Sequence, residues 1–114
     1  MFSLVTRLPS EPTRKPPVIF VHGAGTSAPV WTYWQAAFVE AGWPTYNLDL
    51  RGHGASGAVD LTRVGIFDYV DDVNTVAGQL ATPPVVVGWS MGGHIAVIAA
   101  SKPESTEEMR VEAG

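Results

Sequence analysis

The chain has 114 residues and a formal net charge of −4, from 7 Lys and Arg against 11 Asp and Glu. That length holds one small domain or a piece of a larger one. With 46% hydrophobic and 16% charged residues, 12 Gly and 9 Pro, the composition is globular, which excludes a disordered or collagen-like chain. The absence of cysteine excludes a disulfide scaffold, a thiolate nucleophile and a cysteine zinc site. A mildly acidic balance without a Lys/Arg block argues against a nucleic-acid or anionic-membrane partner.

Residues 1–10 hold Arg7 and no apolar h-region, so no secretory signal is read there and a cytoplasmic location is expected. Residues 2–8 (FSLVTRL) alternate weakly, as an edge strand does. A proline-rich loop follows over residues 9–17. Residues 18–21 (VIFV), bounded by Pro17 and Gly23, form a strand, and residues 23–28 a turn. Trp31, Trp34, Phe38 and Ala41 recur at helical spacing, which predicts an amphipathic helix over 30–41. Pro29 stands where a first-turn proline is tolerated, and Gly42 where a helix ends.

Residues 45–48 (TYNL) form the next strand, followed by a glycine-rich loop over 51–57. Phe67, Val70, Val73 with Asn74, Ala77 and Leu80 predict a second helix over 66–80. Asp68, Asp71 and Asp72 lie in its early turns, where carboxylates suit the helix dipole. Residues 81–101 carry no charged side chain and would match a membrane span of about 20 residues in length. Pro83, Pro84, Gly88, Ser90, Gly92, Gly93 and His94 break that stretch, so it reads as a buried strand (85–87), a tight turn and a helix over 91–101 stopped by Pro103. Residues 104–114 form a polar, acidic tail, in which Ser105 and Glu108 match a capping box. Strand and helix alternate throughout: one α/β domain, a parallel sheet with flanking helices, its core within 17–103.

Three motifs sit at the strand ends. Gly88-Trp89-Ser90-Met91-Gly92 lies between a buried strand and a helix, the setting of a nucleophile elbow. A serine there occupies a turn too sharp for ordinary backbone angles. Side chains two positions to either side would collide, and Gly88 and Gly92 remove the clash. Ser90 also stands at a helix N-terminus, which favours developing negative charge. The second motif, His22-Gly23-Ala24-Gly25, follows the first apolar strand. Acyl transfer needs two N–H donors on an oxyanion, one from the residue after the nucleophile, Met91, and one from such a loop, Ala24. The third, residues 49–57 (DLRGHGASG), is read as a loop held by its own polar side chains rather than as a phosphate or metal site.

Together VIFVHGAG, NLDLRGHGASG and VVVGWSMGG resemble the α/β-hydrolase family, in its esterase, lipase and monoacylglycerol-lipase-like branch, over residues 17–103. The resemblance implies the N-terminal half of that fold, with Ser90 as nucleophile and the N–H groups of Ala24 and Met91 as oxyanion donors. It implies a small acyl substrate, cleavage of a carboxylic ester or related bond through an acyl-enzyme, and no metal or cofactor. Ser90 separates the chain from dehalogenases and epoxide hydrolases of the same fold, which carry Asp there. The family order is serine, acid, histidine. After Ser90 the sequence holds only His94, one helical turn away on the wrong face, and Glu104, Glu107, Glu108 and Glu112. His22 and His53 precede the serine and match structural positions. The chain is therefore read as truncated, with strand 85–87 bare on one side and prone to self-association or to pairing with a complementing chain.

Two other functions fit parts of the sequence. Gly23-x-Gly25-x-x-Ala28 with Asp49 at the end of the next strand approaches a dinucleotide-binding fingerprint, but leaves GWSMGG unexplained. A non-catalytic binding protein on a hydrolase scaffold is the other, because fold does not fix function.

Overall fold

The computed structural model describes residues 3–57, 59–101 and 110–113. The elements are β1 (Leu4–Arg7), β2 (Val18–Val21), a 3-10 turn (Ala28–Trp31), α1 (Thr32–Glu40), β3 (Thr45–Leu48), a second 3-10 turn (Leu61–Arg63), α2 (Ile66–Gly78), β4 (Val85–Gly88), α3 (Met91–Ala100) and β5 (Arg110–Ala113). Among the described residues they build one five-stranded sheet in the order β1-β3-β2-β4-β5. β2, β3, β4 and β5 run parallel, and β1 joins antiparallel at the edge of β3.

The unbroken apolar run of β2 follows from burial on both faces, as in parallel sheets generally. Its side chains alternate: Ile19 and Val21 enter one core, with Leu48, Val86, Val70, Val73, Val76, Ile95, Ala96 and Ala99. Val18 and Phe20 enter the other, with Trp31, Val85 and Val87, covered by Phe38 and Trp43. Helices α2 and α3 thus cover one face, and α1 the other.

Two sequence expectations about the C-terminal region are corrected. β4 is not bare on one side, because β5 pairs with it in parallel register, Val85 opposite Arg110 through Gly88 opposite Ala113. Residues 110–113 are therefore a strand and not part of a polar tail. Local pattern gave no sign of it, since RVEA holds a single β-branched residue; the strand exists because an unsatisfied parallel edge accepts it. The remaining tail residues, 104–109 and 114, with the Ser105/Glu108 capping box, lie outside the described residues.

The helix at 30–41 is also phased differently. It begins as a 3-10 turn at Ala28–Trp31, with Pro29 in its first positions, and becomes α-helical only from Thr32. The tighter turn rotates the following side chains, so Gln35 is buried while Trp34 is 57% exposed. Gln35 Nε2 donates to the Val5 carbonyl at 2.9 Å and to Thr45 Oγ1 at 3.0 Å, fastening α1 to the edge of the sheet. In α2 the buried stripe is Tyr69, Val70, Asp72, Val73, Val76 and Ala77, with Phe67 outside it. Among the described residues no helix is long and apolar enough to cross a membrane. The uncharged stretch 81–101 resolves into β4, a turn and the 10-residue α3.

Candidate active site

β4 ends at Gly88 and α3 begins at Met91, so the chain reverses within Trp89 and Ser90. Ser90 takes φ 57° and ψ −120°, the one positive φ of a non-glycine residue among those described. Such a conformation costs of order 1–3 kcal/mol and persists only where its surroundings enforce it. The surroundings are visible. A Cβ on Gly88 would overlap the carbonyl of Gly92, and one on Gly92 would overlap the carbonyls of Val21 and His22. The turn is sharp enough to bring Gly88 onto Gly92, and the start of α3 is pressed onto the end of β2. Trp89 N–H donates to the Val21 carbonyl at 3.2 Å and fixes the same approach. Ser90 itself is exposed at the head of α3.

The loop after β2 lies beside this turn. A Cβ on Gly23 would stand 3.4 Å from Ser90 Cβ and 3.3 Å from the Trp89 ring. Only a residue without a side chain leaves the loop backbone that close to the serine. The next residue, Ala24, is exposed. Neither its N–H nor that of Met91 donates a hydrogen bond among the described residues. The structure therefore brings Gly23 against Ser90, with the two expected donors, Ala24 and Met91, following these residues directly in the chain.

The loop is held by residues from both neighbouring strand ends. His22, fully buried, receives Leu50 N–H on Nε2 at 3.0 Å, so its proton is on Nδ1, which donates to the Gly23 carbonyl at 2.8 Å. Burial pushes this imidazole below its ordinary value; the bond to Gly23 opposes the shift, His53 adds to it and Asp49 opposes it. Thr26 donates to the same Gly23 carbonyl through Oγ1 at 2.8 Å and through its N–H at 3.3 Å. Gly25 N–H donates to His53 Nε2 at 3.3 Å, and His53 Nδ1 donates to the Arg51 carbonyl at 3.0 Å. The two imidazole rings lie 5.0 Å apart.

Asp49 ties the two loops together. Its carboxylate receives Ala28 N–H at 2.7 Å and Ala55 N–H at 3.1 Å. Gly54, at φ 50°, leaves room for it, since a Cβ there would overlap the carboxylate. Arg51 reaches across to α2, where its Nε and Nη2 meet Asp72 Oδ1 at 2.9 and 2.7 Å, and its N–H meets Oδ2 at 2.9 Å. That hydrogen bond, with the carboxylates of Asp72, Asp68 and Asp71, raises the guanidinium above its ordinary value despite some desolvation. Loop 49–57 is thus held by its own polar groups, as its sequence suggested. Asp49 is buried, and each of its carboxylate oxygens holds a backbone N–H of a neighbouring loop.

Sequence reasoning did not find Thr26 or Asp72. Asp72 carried a signal, because it falls within the stripe Tyr69, Val73 and Val76, and a carboxylate on a buried stripe needs a cationic partner. Nothing local marked Thr26. His94 lies one turn into α3, exposed, with no hydrogen bond joining its ring to Ser90. Among the described residues no group of three or more His, Asp or Glu could hold a metal ion.

The chain is similar to proteins of known activity. It is 32% identical over 101 residues to a pimeloyl-[acyl-carrier protein] methyl ester esterase of Neisseria meningitidis, covering 88% of this chain and 30% of that one. It is 35% identical over 83 residues to a monoacylglycerol lipase of Mycolicibacterium smegmatis, covering 68% of this chain and 30% of that one. It thus spans about a third of the length of these relatives. An esterase from Exiguobacterium antarcticum shares the fold, with a TM-score of 0.82 at 24% identity over 99% of this chain and 40% of that one. Residues 18–112 match the model of the alpha/beta hydrolase family. From the strand–turn–helix around Ser90 to the matched sequence, the chain belongs to the alpha/beta hydrolase family.

Proposed function

We propose that Ser90 is the nucleophile of a serine hydrolase that cleaves a carboxylic ester or related acyl bond of a small-molecule substrate. The observation that carries this reading is the backbone of Ser90, φ 57° at the head of α3, with Gly23 packed against its Cβ. Strain of this kind at an exposed polar side chain is a mark of a working site. Attack of Ser90 Oγ on the carbonyl makes a tetrahedral oxyanion. The free N–H groups of Ala24 and Met91 would receive it, the second supported by the N-terminal dipole of α3. Collapse expels the alcohol and leaves an acyl-enzyme, which water then hydrolyses.

This chemistry calls on neither metal nor cofactor. It does call on a general base and an acid that orients it. His22 and His53 have both ring nitrogens committed to hydrogen bonds, and the His94 ring makes none with Ser90. The proposal therefore takes these residues as the nucleophile and oxyanion part of the catalytic unit and assigns acid and base to none of them. The curated relatives, which are esterases and a lipase about three times as long, support that division. A cytoplasmic setting belongs to the same proposal. So does self-association, moved from β4 to the outer edge of β5 at Arg110–Ala113, which no described strand pairs.

The test is labelling of the purified chain by a fluorophosphonate, with peptide mapping. With no base assigned among these residues the oxyanion donors act alone, so a slowly formed adduct on Ser90, absent in Ser90→Ala, is expected. A chain that stays unlabelled, or labels equally in Ser90→Ala, is a scaffold without an activated serine and favours the binding-protein reading.

A further inference from the structure

Resting on that reading of Ser90 and Ala24, we propose that Thr26 is a positioning residue, whose hydroxyl fixes the direction of the Ala24 N–H. A trans peptide unit is planar, so the Gly23 carbonyl and the Ala24 N–H point in opposite directions as one rigid body. Whatever holds the carbonyl aims the N–H.

The unit needs holding. Gly23, on one side of it, has no side chain, so its ψ turns with little steric resistance. On the other side only the Cβ of Ala24 limits rotation of the peptide between Gly23 and Ala24. A rotated unit would turn the Gly23 carbonyl toward the space the N–H had faced, placing a partial negative charge where an oxyanion must form. Three donors oppose the rotation: His22 Nδ1 at 2.8 Å, Thr26 Oγ1 at 2.8 Å and Thr26 N–H at 3.3 Å. His22 is also needed by Leu50, and the Thr26 N–H bond is the longest of the three. The Thr26 hydroxyl is the donor with no second task. The following peptide is gripped separately, through Gly25 N–H on His53 Nε2, so a disturbance is confined to the single unit that carries the Ala24 donor.

Thr26→Val keeps the shape and removes the hydroxyl; Thr26→Ser keeps the hydroxyl. Residual dipolar couplings of the Ala24 N–H, measured against those of β2 and α3, read its direction in the purified chain. The rate of Ser90 phosphonylation by a fluorophosphonate reads its effect. Thr26→Val is expected to average or reorient the Ala24 coupling while leaving those of β2 and α3 unchanged. It should slow phosphonylation on the order of tenfold to a hundredfold, less than the 10²–10³ of deleting a donor outright. Thr26→Ser is expected to restore both. Should Thr26→Val not fold, Thr26→Ala makes the same comparison. An Ala24 coupling unchanged by loss of the hydroxyl, or not restored by serine, overturns the proposal. If the wild-type chain is not phosphonylated at Ser90, the reading of Ser90 as nucleophile fails, and the couplings still decide for or against Thr26 as the group that aims Ala24.

Discussion

The Nε2 of His22, at the end of β2, accepts the N–H of Leu50, just beyond β3, at 3.0 Å. This bond requires a neutral imidazole, because a proton on Nε2 would face the Leu50 N–H. Burial, the main influence on this ring, lowers its proton affinity below the ordinary value of 6.5. In the unfolded chain the same side chain takes up a proton near 6.5. The unfolded state therefore binds more protons below about pH 6.5, and stability falls from there downward until the folded ring titrates as well. Above that range His22 is neutral in both states and contributes no pH dependence. Urea melts from about pH 8 to 5, with NMR titration of the His22 ring, check this. A ring that titrates at or above 6.5 in the folded chain contradicts it.

Gly88 and Gly92 tolerate no side chain. A Cβ at either meets backbone carbonyl, not a side chain that could swing away. Gly92→Ala is expected to cost at least the ~1–3 kcal/mol of ordinary overpacking, a large share of the roughly 5–15 kcal/mol that holds a domain together. Gly78→Ala, with nothing within 4 Å of the added carbon, serves as the control. Denaturant midpoints compare them.

Arg51 and Asp72 form a pair in which the carboxylate is fully buried and the guanidinium side chain is 32% exposed. Arg51→Ala leaves a buried charge with one backbone donor and is expected to cost about 3 kcal/mol, the lower end for breaking a buried pair. The double variant Arg51→Ala/Asp72→Asn should recover part of that loss. Equal midpoints for the wild type and Arg51→Ala would show that the pair does not hold the loop.

Much of this was legible in the sequence. The apolar run VIFV, the helical spacing of Val70, Val73 and Ala77, and the GWSMGG turn each state a local requirement, and local requirements survive folding. The glycines of the elbow carry the most information, because a backbone contact leaves only one residue type possible. What was not legible depends on partners distant in the chain. β5 is a strand because β4 offers it an edge, and RVEA alone gives no reason for one. Gln35 is buried because a 3-10 turn rotates the helix after it. Thr26 and Asp72 matter through what they grip, Gly23 and Arg51, and neither spacing nor composition names those partners.

Steady turnover by these 114 residues is expected to be small. Loss of the base in a triad costs on the order of 10⁶ in kcat, and an oxyanion site with binding alone retains about 10³–10⁴ over water. Hydrolysis of p-nitrophenyl acetate should stay near the background rate. Robust turnover lost in Ser90→Ala would require a base among the residues present, with His94 the first to test.

The most direct measurement of the central claim is peptide mass mapping of the chain after incubation with p-nitrophenyl acetate. Without a base both acylation and deacylation are slow, but the p-nitrophenolate leaving group needs no protonation and an unassisted serine acetate persists, so one acetyl group should accumulate slowly on the peptide containing Ser90 and vanish in Ser90→Ala. Acetyl groups found only on Lys15 and Lys102, unchanged in Ser90→Ala, would contradict the assignment of Ser90 as the nucleophile.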